Sequence, residues 1–329
     1  MTSATAGVSY ADVQRARDRI AGLVDPSPVI RSPELSDRLG VPVWLKLESL
    51  QPPGSFKVRG AASKILALSP DQRRGGVIAC SGGNHGASVA YIARRLGIPA
   101  TICVPETVDP VKLRSIRASG AEAIVEGPAY DDAAEVAHRI ERERGLSFVH
   151  PFDDPDVIAG QGTIGLELAE QVPGLAVAVA AVSGGGLIGG LGIALKGGPA
   201  PVRVIGASAE NAGAMVASLQ AGHPVDVPNL DTLAEVLGGG IGLDNRWSMA
   251  AVREFVDQHV LVTEAEIAAA MVFLLGTYRL IAEGGGAVAT GAALAGRLGD
   301  LDGPVAIVVS GGNADPAAIL ALADLGPAR

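Results

Sequence analysis

The sequence predicts an α/β protein made of two open parallel sheets. Three observations carry that expectation: short apolar runs alternate with amphipathic stretches, most of those stretches close on a glycine suited to a left-handed cap, and the connections are long enough to hold a helix between successive strands. The chain has 329 residues, too many for one minimal core, so one large domain or two modest ones are expected. Apolar residues make up 48%, aromatic rings only 3%, and there are 44 glycines. That composition suits helices and sheets packed closely without bulky rings, and it excludes a disordered chain.

The elements follow in chain order. Residues 41–48 (VPVWLKLE) read as a strand, Pro53-Gly54 as a turn, and a helix is expected from about Lys57. GVIAC (76–80), IPATICVP (98–105), AEAIVEG (121–127) and LSFVHPF (146–152) read as strands, with intervening helices ending near Gly97, Gly120 and Gly145. A second series has AVAVAAVS (176–183), PVRVIGAS (201–208) and PVAIVVS (304–310) as buried strands, with helices around Gly162–Val172, Leu187–Lys196 and Ala265–Leu275. A small α/β unit over residues 77–149, inserted in a larger one of residues 1–76 and 150–329, accounts for both series. No low-complexity segment or short-period repeat interrupts them.

Charge and cysteine usage narrow the setting. The formal net charge is −9, and the basic residues are scattered, so nucleic acid is not an expected partner. Cys80 and Cys103 stand far apart in sequence without a CxxC, which suggests neither a disulfide framework nor a zinc site and fits a reducing cytoplasm. The N-terminal residues lack the architecture of a signal peptide, and no run approaches the roughly 20 apolar residues of a membrane span. A cytoplasmic protein without a membrane partner is therefore expected.

Three strand ends run into glycine-rich turns: Ser81-Gly82-Gly83-Asn84-His85-Gly86, Ser183-Gly184-Gly185-Gly186 and Ser310-Gly311-Gly312-Asn313. Each is expected to open a helix, whose free amides and dipole make an anion seat. A glycine turn can also be a mere connection, but three led by Ser, at the carboxyl ends of strands, are expected to bind. Gly184, Gly186 and Gly189 additionally satisfy GxGxxG, with Glu210 past the next strand, as in a dinucleotide site. That alternative leaves the other two turns without a purpose. The remaining motif is Ser55-Phe56-Lys57-Val58-Arg59-Gly60. A cation is unfavourable at a helix start, so Lys57 asks for a reason. An amine desolvated beside Phe56 and next to Arg59 would have a lowered pKa and could act as nucleophile and base.

Taken together, GSFKVRGA, CSGGNHGASVA, VSGGGLIGG and VVSGGNAD resemble, in order and spacing, the four signatures of fold-type II enzymes that use pyridoxal phosphate. The group they are most similar to is the threonine/serine dehydratase and serine racemase family. The similarity runs through nearly the whole chain, including HPFDDPDVIAGQGTIGLEL (150–168). The resemblance implies a tryptophan synthase β-like architecture with the cofactor in the cleft between two domains, a small amino acid as substrate, and a homodimer. It implies that Lys57 carries pyridoxal phosphate as a Schiff base and, once displaced, takes the substrate's α-proton, with Phe56 close to the cofactor. Ser183, Gly184, Gly185, Gly186 and the amide of Leu187 would cradle the phosphate, Ser183 adding a hydroxyl donor where a glycine is common. Asn84 would bond the ring's phenolic oxygen, while Ser81 and the amides of Gly82, Gly83, Asn84 and His85 would hold the substrate carboxylate. Ser310 would face the pyridine nitrogen. A hydroxyl there does not keep that nitrogen protonated as a carboxylate would, and the weaker electron sink favours loss of a β-substituent. Dehydration of a β-hydroxy amino acid such as threonine or serine, to a 2-oxo acid and ammonia, is the expected reaction.

Departures from the family pattern qualify the expectation. Racemases of this family carry Ser, as the acid/base on the opposite face, where this chain has Gly82, which disfavours racemisation. The positions of the family's divalent-metal site correspond to Ser208, Ala212 and Ala214, leaving Glu210 alone, so no metal is expected. Glu283-Gly284, which the resemblance places near the cofactor, stands where Glu-Pro is frequent. The stretch LGGGIGLDNRW (237–247) is similar to dehydratases associated with hydroxyectoine breakdown, so a larger or acidic β-hydroxy amino acid of the 3-hydroxyaspartate type is an alternative substrate, which Arg246 could meet. His85 is expected to position rather than react, and Cys80, Trp44 and Trp247 to pack. A non-catalytic amino-acid sensor is a further alternative, against which Lys57 argues. The short remainder after the last motif leads us to expect no C-terminal regulatory domain and no feedback by isoleucine.

Overall fold

A computed structural model of the chain describes residues 7–200, 202–228 and 230–324; residues 1–6 and 325–329, assigned above to the larger unit, lie outside the described residues. The strands are β1 (Val29–Arg31), β2 (Val43–Leu47), β3 (Val77–Cys80), β4 (Ala100–Val104), β5 (Glu122–Val125), β6 (Ser147–Phe148), β7 (Val177–Ala181), β8 (Arg203–Ala209), β9 (Gln258–Val262) and β10 (Val305–Val309). They form a six-stranded sheet in the order β1-β2-β10-β7-β8-β9 and a four-stranded sheet in the order β5-β4-β3-β6. Every pairing is parallel except β1 with β2. Parallel strands covered on both faces need apolar residues on both, and β7 (VAVAA) and β10 (VAIVV) are buried at every position.

The eight strands expected from the sequence are β2 to β8 and β10. The two not anticipated lie at the sheet's edges: β1 has three residues, and β9 (QHVLV) is only half-buried at four of its five positions. An edge strand needs only one good face, so its apolar signal is weak. The helix expected from Gly162 begins instead at Pro155. Asp154 caps it by accepting the amide hydrogens of Asp156 and Val157, with proline at the first helical position. The helices Asn84–Leu96 and Tyr130–Arg144 end on left-handed Gly97 and Gly145 as expected.

One expectation about Lys57 fails at this level. Arg59 does not act on the amine; its side chain turns into the protein, 1% exposed. Its Nε and Nη2 donate to Glu48 at 2.8 Å each, and Nη1 and Nη2 donate to Glu167 at 2.5 and 2.9 Å. Lys46, also buried, donates to the same Glu167 at 2.5 Å and to the carbonyl of Ser27 at 2.8 Å. Burial alone would lower the Arg59 pKa, but the two carboxylates outweigh it and raise it, while Glu48 is held below its usual range. Two cations and two anions thus tie β2, the helix Lys57–Ala67 and the helix Pro155–Gln171 together. Cys80 and Cys103, far apart in sequence, are paired neighbours on β3 and β4. Both are free, and burial pushes the thiols up to about 12 and about 11, so they remain protonated packing residues. Among the described residues no helix is long and apolar enough to cross a membrane.

Replacing Arg59 by Met leaves two buried carboxylates facing one lysine. Equilibrium unfolding of the apoprotein in denaturant is expected to show a loss of about 3–5 kcal/mol.

Candidate active site

The parallel pair β2 and β10 ends with Leu47 beside Val309, and the turns that follow remain in contact. Gly312 N–H donates to Gly54 O at 2.8 Å, Phe56 N–H donates to Ser310 O at 3.0 Å, and Ser55 bridges Gly311. This pairing sets Lys57, the first residue of its helix, next to the turn that carries Ser310. It also corrects an expectation. The Ser310 turn opens no helix, because the next one starts only at Pro316; it is a contact surface and not an anion seat. The Ser310 hydroxyl is buried and donates to Gly285 O at 3.3 Å.

Lys57 Nζ donates to the carbonyl of Pro151 at 2.7 Å and lies 5.3 Å from the Phe56 ring centroid. Burial pushes its pKa down to about 8, against the pull of the Glu283 charge. Pro151 belongs to a segment that reaches three of the four motifs. Its neighbour Val149 offers its carbonyl to His85 Nε2 at 2.8 Å. A carbonyl can only accept, so His85 carries its hydrogen on Nε2; burial pushes its pKa down to about 3, and the ring is neutral. Phe152 lies against the Ser183 loop, where a Cβ at Gly184 would overlap its ring. His150 shapes the segment by accepting the amide hydrogens of Phe152 and Asp153 on Nδ1, at 3.2 and 2.7 Å. The carboxylate of Asp153 then accepts from the amides of Arg246, Trp247 and Ser248 at 2.7–2.9 Å, which ties the 237–247 stretch to the same place.

The remaining turns open helices as expected, at Asn84 and at Gly186. At Ser183–Leu187, Gly185 takes φ +87°, a left-handed conformation suited to glycine. The amides of Gly184, Gly185, Gly186 and Leu187 donate to no other group among the described residues. Four free donors at a helix start, over a floor in which a side chain at Gly184 would collide, fit a phosphate group. The Ser183 hydroxyl, expected as a further donor to that phosphate, is committed elsewhere: it donates to Leu237 O at 3.0 Å. At the other turn, Ser81 Oγ accepts from Gly83 N–H at 3.2 Å, and Gly82 has no side chain and backs onto Val108. Asn84 is buried and donates through Nδ2 to Glu283 at 2.5 Å.

Sequence reasoning does not single out Asn313, Pro151, Phe152 or His150 as site residues, and it places Glu283 near the cofactor without giving it a role. HPFDD and the Asn closing VVSGGN were visible as motif text, but their contacts are long-range. Ser208 Oγ donates to Ala212 O at 2.9 Å and Glu210 is exposed; among the described residues no group of three or more His, Cys, Asp or Glu could hold a metal. Arg246 is exposed and lies 5.8 Å from the Trp247 ring.

The pyridoxal-phosphate dependent enzyme family matches residues 20–311. The chain belongs to this family. Its cofactor is pyridoxal phosphate, and the free amides at the Ser183 loop with the desolvated Lys57 fit that group. Among its relatives, a protein of Thermotoga maritima named L-threonine ammonia-lyase is 43% identical over 94% of this chain and 76% of its own length. Maize serine racemase superposes with a TM-score of 0.89 at 31% identity, over 97% of each chain. The processed form of threonine deaminase isoform 2 from Solanum lycopersicum gives 0.88 at 34% identity, over 96% of this chain and 88% of that one. The architecture is therefore that of fold-type II enzymes.

Two outcomes follow from this geometry. Gly184→Ala pushes a Cβ into the Phe152 ring, and titration of apoprotein with pyridoxal phosphate is expected to give a dissociation constant raised by about tenfold, about 1.4 kcal/mol. Because only the neutral amine reacts with an aldehyde, covalent capture of pyridoxal phosphate by apoprotein is expected to rise with pH through a midpoint at about 8. A midpoint near the ordinary lysine value of 10.5 would remove desolvation as the cause.

Proposed function

We propose that this enzyme is an ammonia-lyase that removes water from a small β-hydroxy amino acid such as L-threonine or L-serine and releases a 2-oxo acid and ammonia. The observation that carries it is one base without a partner opposite: Lys57 stands desolvated at its helix start, while Gly82 offers no side chain where a racemase of this family has its second acid/base. The relative named L-threonine ammonia-lyase, alike over 94% of this chain, supports the same reaction.

Pyridoxal phosphate, when bound, withdraws electrons from the bonds of the substrate's α-carbon, so that the α-proton becomes acidic and the β-substituent can leave. Lys57 Nζ is proposed to hold the cofactor and, once free, to take the α-proton; an amine with pKa about 8 keeps a usable neutral fraction near neutral pH. The amides of Gly184, Gly185, Gly186 and Leu187 would bind the phosphate, with Ser183 orienting the loop through Leu237. Asn84 would donate to the ring oxygen, and Phe56 would pack against the cofactor. Ser310, whose hydroxyl donates to Gly285 O, would lie at the ring nitrogen, where a hydroxyl supplies no negative charge to keep that nitrogen protonated. The turn Ser81–His85 takes the substrate carboxylate, His85 serving only to hold the turn against Val149.

Residues 77–149, whose four strands share one sheet, are proposed as a small domain inserted in a larger one of residues 1–76 and 150–329. A homodimer and a cytoplasmic setting belong to the same reading; for the setting, the support is that both buried thiols are free, as a reducing compartment keeps them. A larger or acidic β-hydroxy amino acid is a weaker reading, since Arg246 lies on Trp247 at the surface.

The test is to supply L-threonine, L-serine and an acidic β-hydroxy amino acid to purified holoenzyme and to measure 2-oxo acid, ammonia and the enantiomer of recovered substrate. Ammonia release with L-threonine or L-serine is expected. Racemisation without ammonia would establish a racemase instead, and binding without turnover a sensor. Lys57→Ala is expected to lower turnover by about 10³-fold or more; retained activity would refute its role.

A further inference from the structure

Two side chains without a role so far hold the amide of Asn84 from opposite sides. Asn84 Nδ2 donates to Glu283 Oε1 at 2.5 Å, and Asn84 Oδ1 accepts from Asn313 Nδ2 at 2.7 Å. The same Asn313 Nδ2 donates to the carbonyl of Pro53 at 2.9 Å, in the turn just before Lys57. The direction of each bond can be deduced. A peptide carbonyl only accepts, so Asn313 must present nitrogen to Pro53 and, through its second hydrogen, to Asn84. Asn84 must then turn its oxygen to Asn313 and its nitrogen to Glu283. One hydrogen of Asn84 Nδ2 remains.

The packing admits this arrangement because position 311 is glycine. Glu283 N–H donates to Gly311 O at 3.2 Å, and the Glu283 carboxylate lies so close that a Cβ on residue 311 would overlap Oε1. Glu283 is buried at the start of the helix Gly284–Leu294. Burial and the Glu235 charge push its carboxyl up, to about 6, against Asn84 and the cations Lys112 and Lys57. At neutral pH it is chiefly ionised and can only accept.

We infer that Glu283 and Asn313 are positioning residues that fix the Asn84 amide with its remaining N–H available to the cofactor's ring oxygen, which deepens the role proposed above for Asn84 and rests on it. A flipped Asn84 would set oxygen against the Glu283 carboxylate and nitrogen against the Asn313 donor, losing both bonds. It would also offer a lone pair where the ring oxygen needs a hydrogen. The same chain of bonds joins the turn before Lys57, the Ser310 turn and the first residue of the helix Asn84–Leu96. Three separate motifs are thereby set relative to one cofactor atom.

The test reads the visible absorption band of the holoenzyme without substrate, and the dissociation constant of pyridoxal phosphate from titrated apoprotein. Glu283→Leu removes the acceptor; Asn313→Asp replaces the donor by an acceptor at an exposed position. Each is expected to move the band and to raise the dissociation constant about tenfold, whereas Glu283→Gln, which keeps an acceptor oxygen, retains the band. In an Asn84→Ala background the band is already moved, and Glu283→Leu or Asn313→Asp is expected to move it no further. A full additional shift in that background would overturn the inference, as would unmoved bands in both single variants while Asn84→Ala moves its own. An unchanged band and affinity in Asn84→Ala itself would instead overturn the proposed contact of Asn84 with the ring, and the inference with it. Apoprotein melting curves separate these effects from unfolding.

Discussion

The imidazole of His150 accepts two backbone hydrogens, and much of the site depends on that interaction. Nδ1 draws in the amides of Phe152 and Asp153, and burial keeps the ring neutral by pushing its pKa down to about 4. A protonated ring would have no lone pair on Nδ1 to offer. The turn shaped in this way sets Val149 O against His85, Pro151 O against Lys57 and the Phe152 ring against Gly184. The Asp153 carboxylate collects three amides of the 246–248 segment. A single five-residue segment thereby sets the distance between the amine, the anion-binding loop and the turn at Ser81.

Two cations two residues apart, Lys57 and Arg59, meet opposite electrostatic fates. Arg59 is withdrawn from water but surrounded by Glu48 and Glu167, which keep it charged. Lys57 is withdrawn from water with only a backbone carbonyl within hydrogen-bonding distance and the more remote Glu283 charge, so its neutral form gains ground. Desolvation is common to both, and the difference lies in the counter-charge supplied. One residue anchors the helix as a cation, and the other gives up its charge more readily. Because the two side chains leave the helix on different sides, anchoring does not restore the charge on the amine.

The glycine-rich turns also divide their labour. The Ser183 turn retains free amides and fits an anion. At Ser310 the glycines do something else: Gly311 makes room for the Glu283 carboxylate, and Gly312 N–H pairs with Gly54. Similar text in the chain thus supports binding in one place and close backbone packing in another.

The α/β class and eight of the strands were legible in the sequence, and the resemblance of its motifs pointed to the cofactor family and to Lys57 as the candidate lysine. Those features are carried by local periodicity and by contiguous motifs whose residue types are tied to their backbone. Edge strands β1 and β9 and the true start of the helix at Pro155 were harder to see, the first two because an edge carries little apolar signal. Other features emerge only from the packed molecule: Arg59 turns away from Lys57, Ser183 gives its hydrogen to Leu237, Cys80 and Cys103 are neighbours, and Glu283 and Asn313 bond Asn84 from two sides. Each of these joins residues distant in the chain, or depends on which side of a helix a side chain leaves. Such contacts exist only once the strands have been ordered and the helices packed, and no local pattern encodes them.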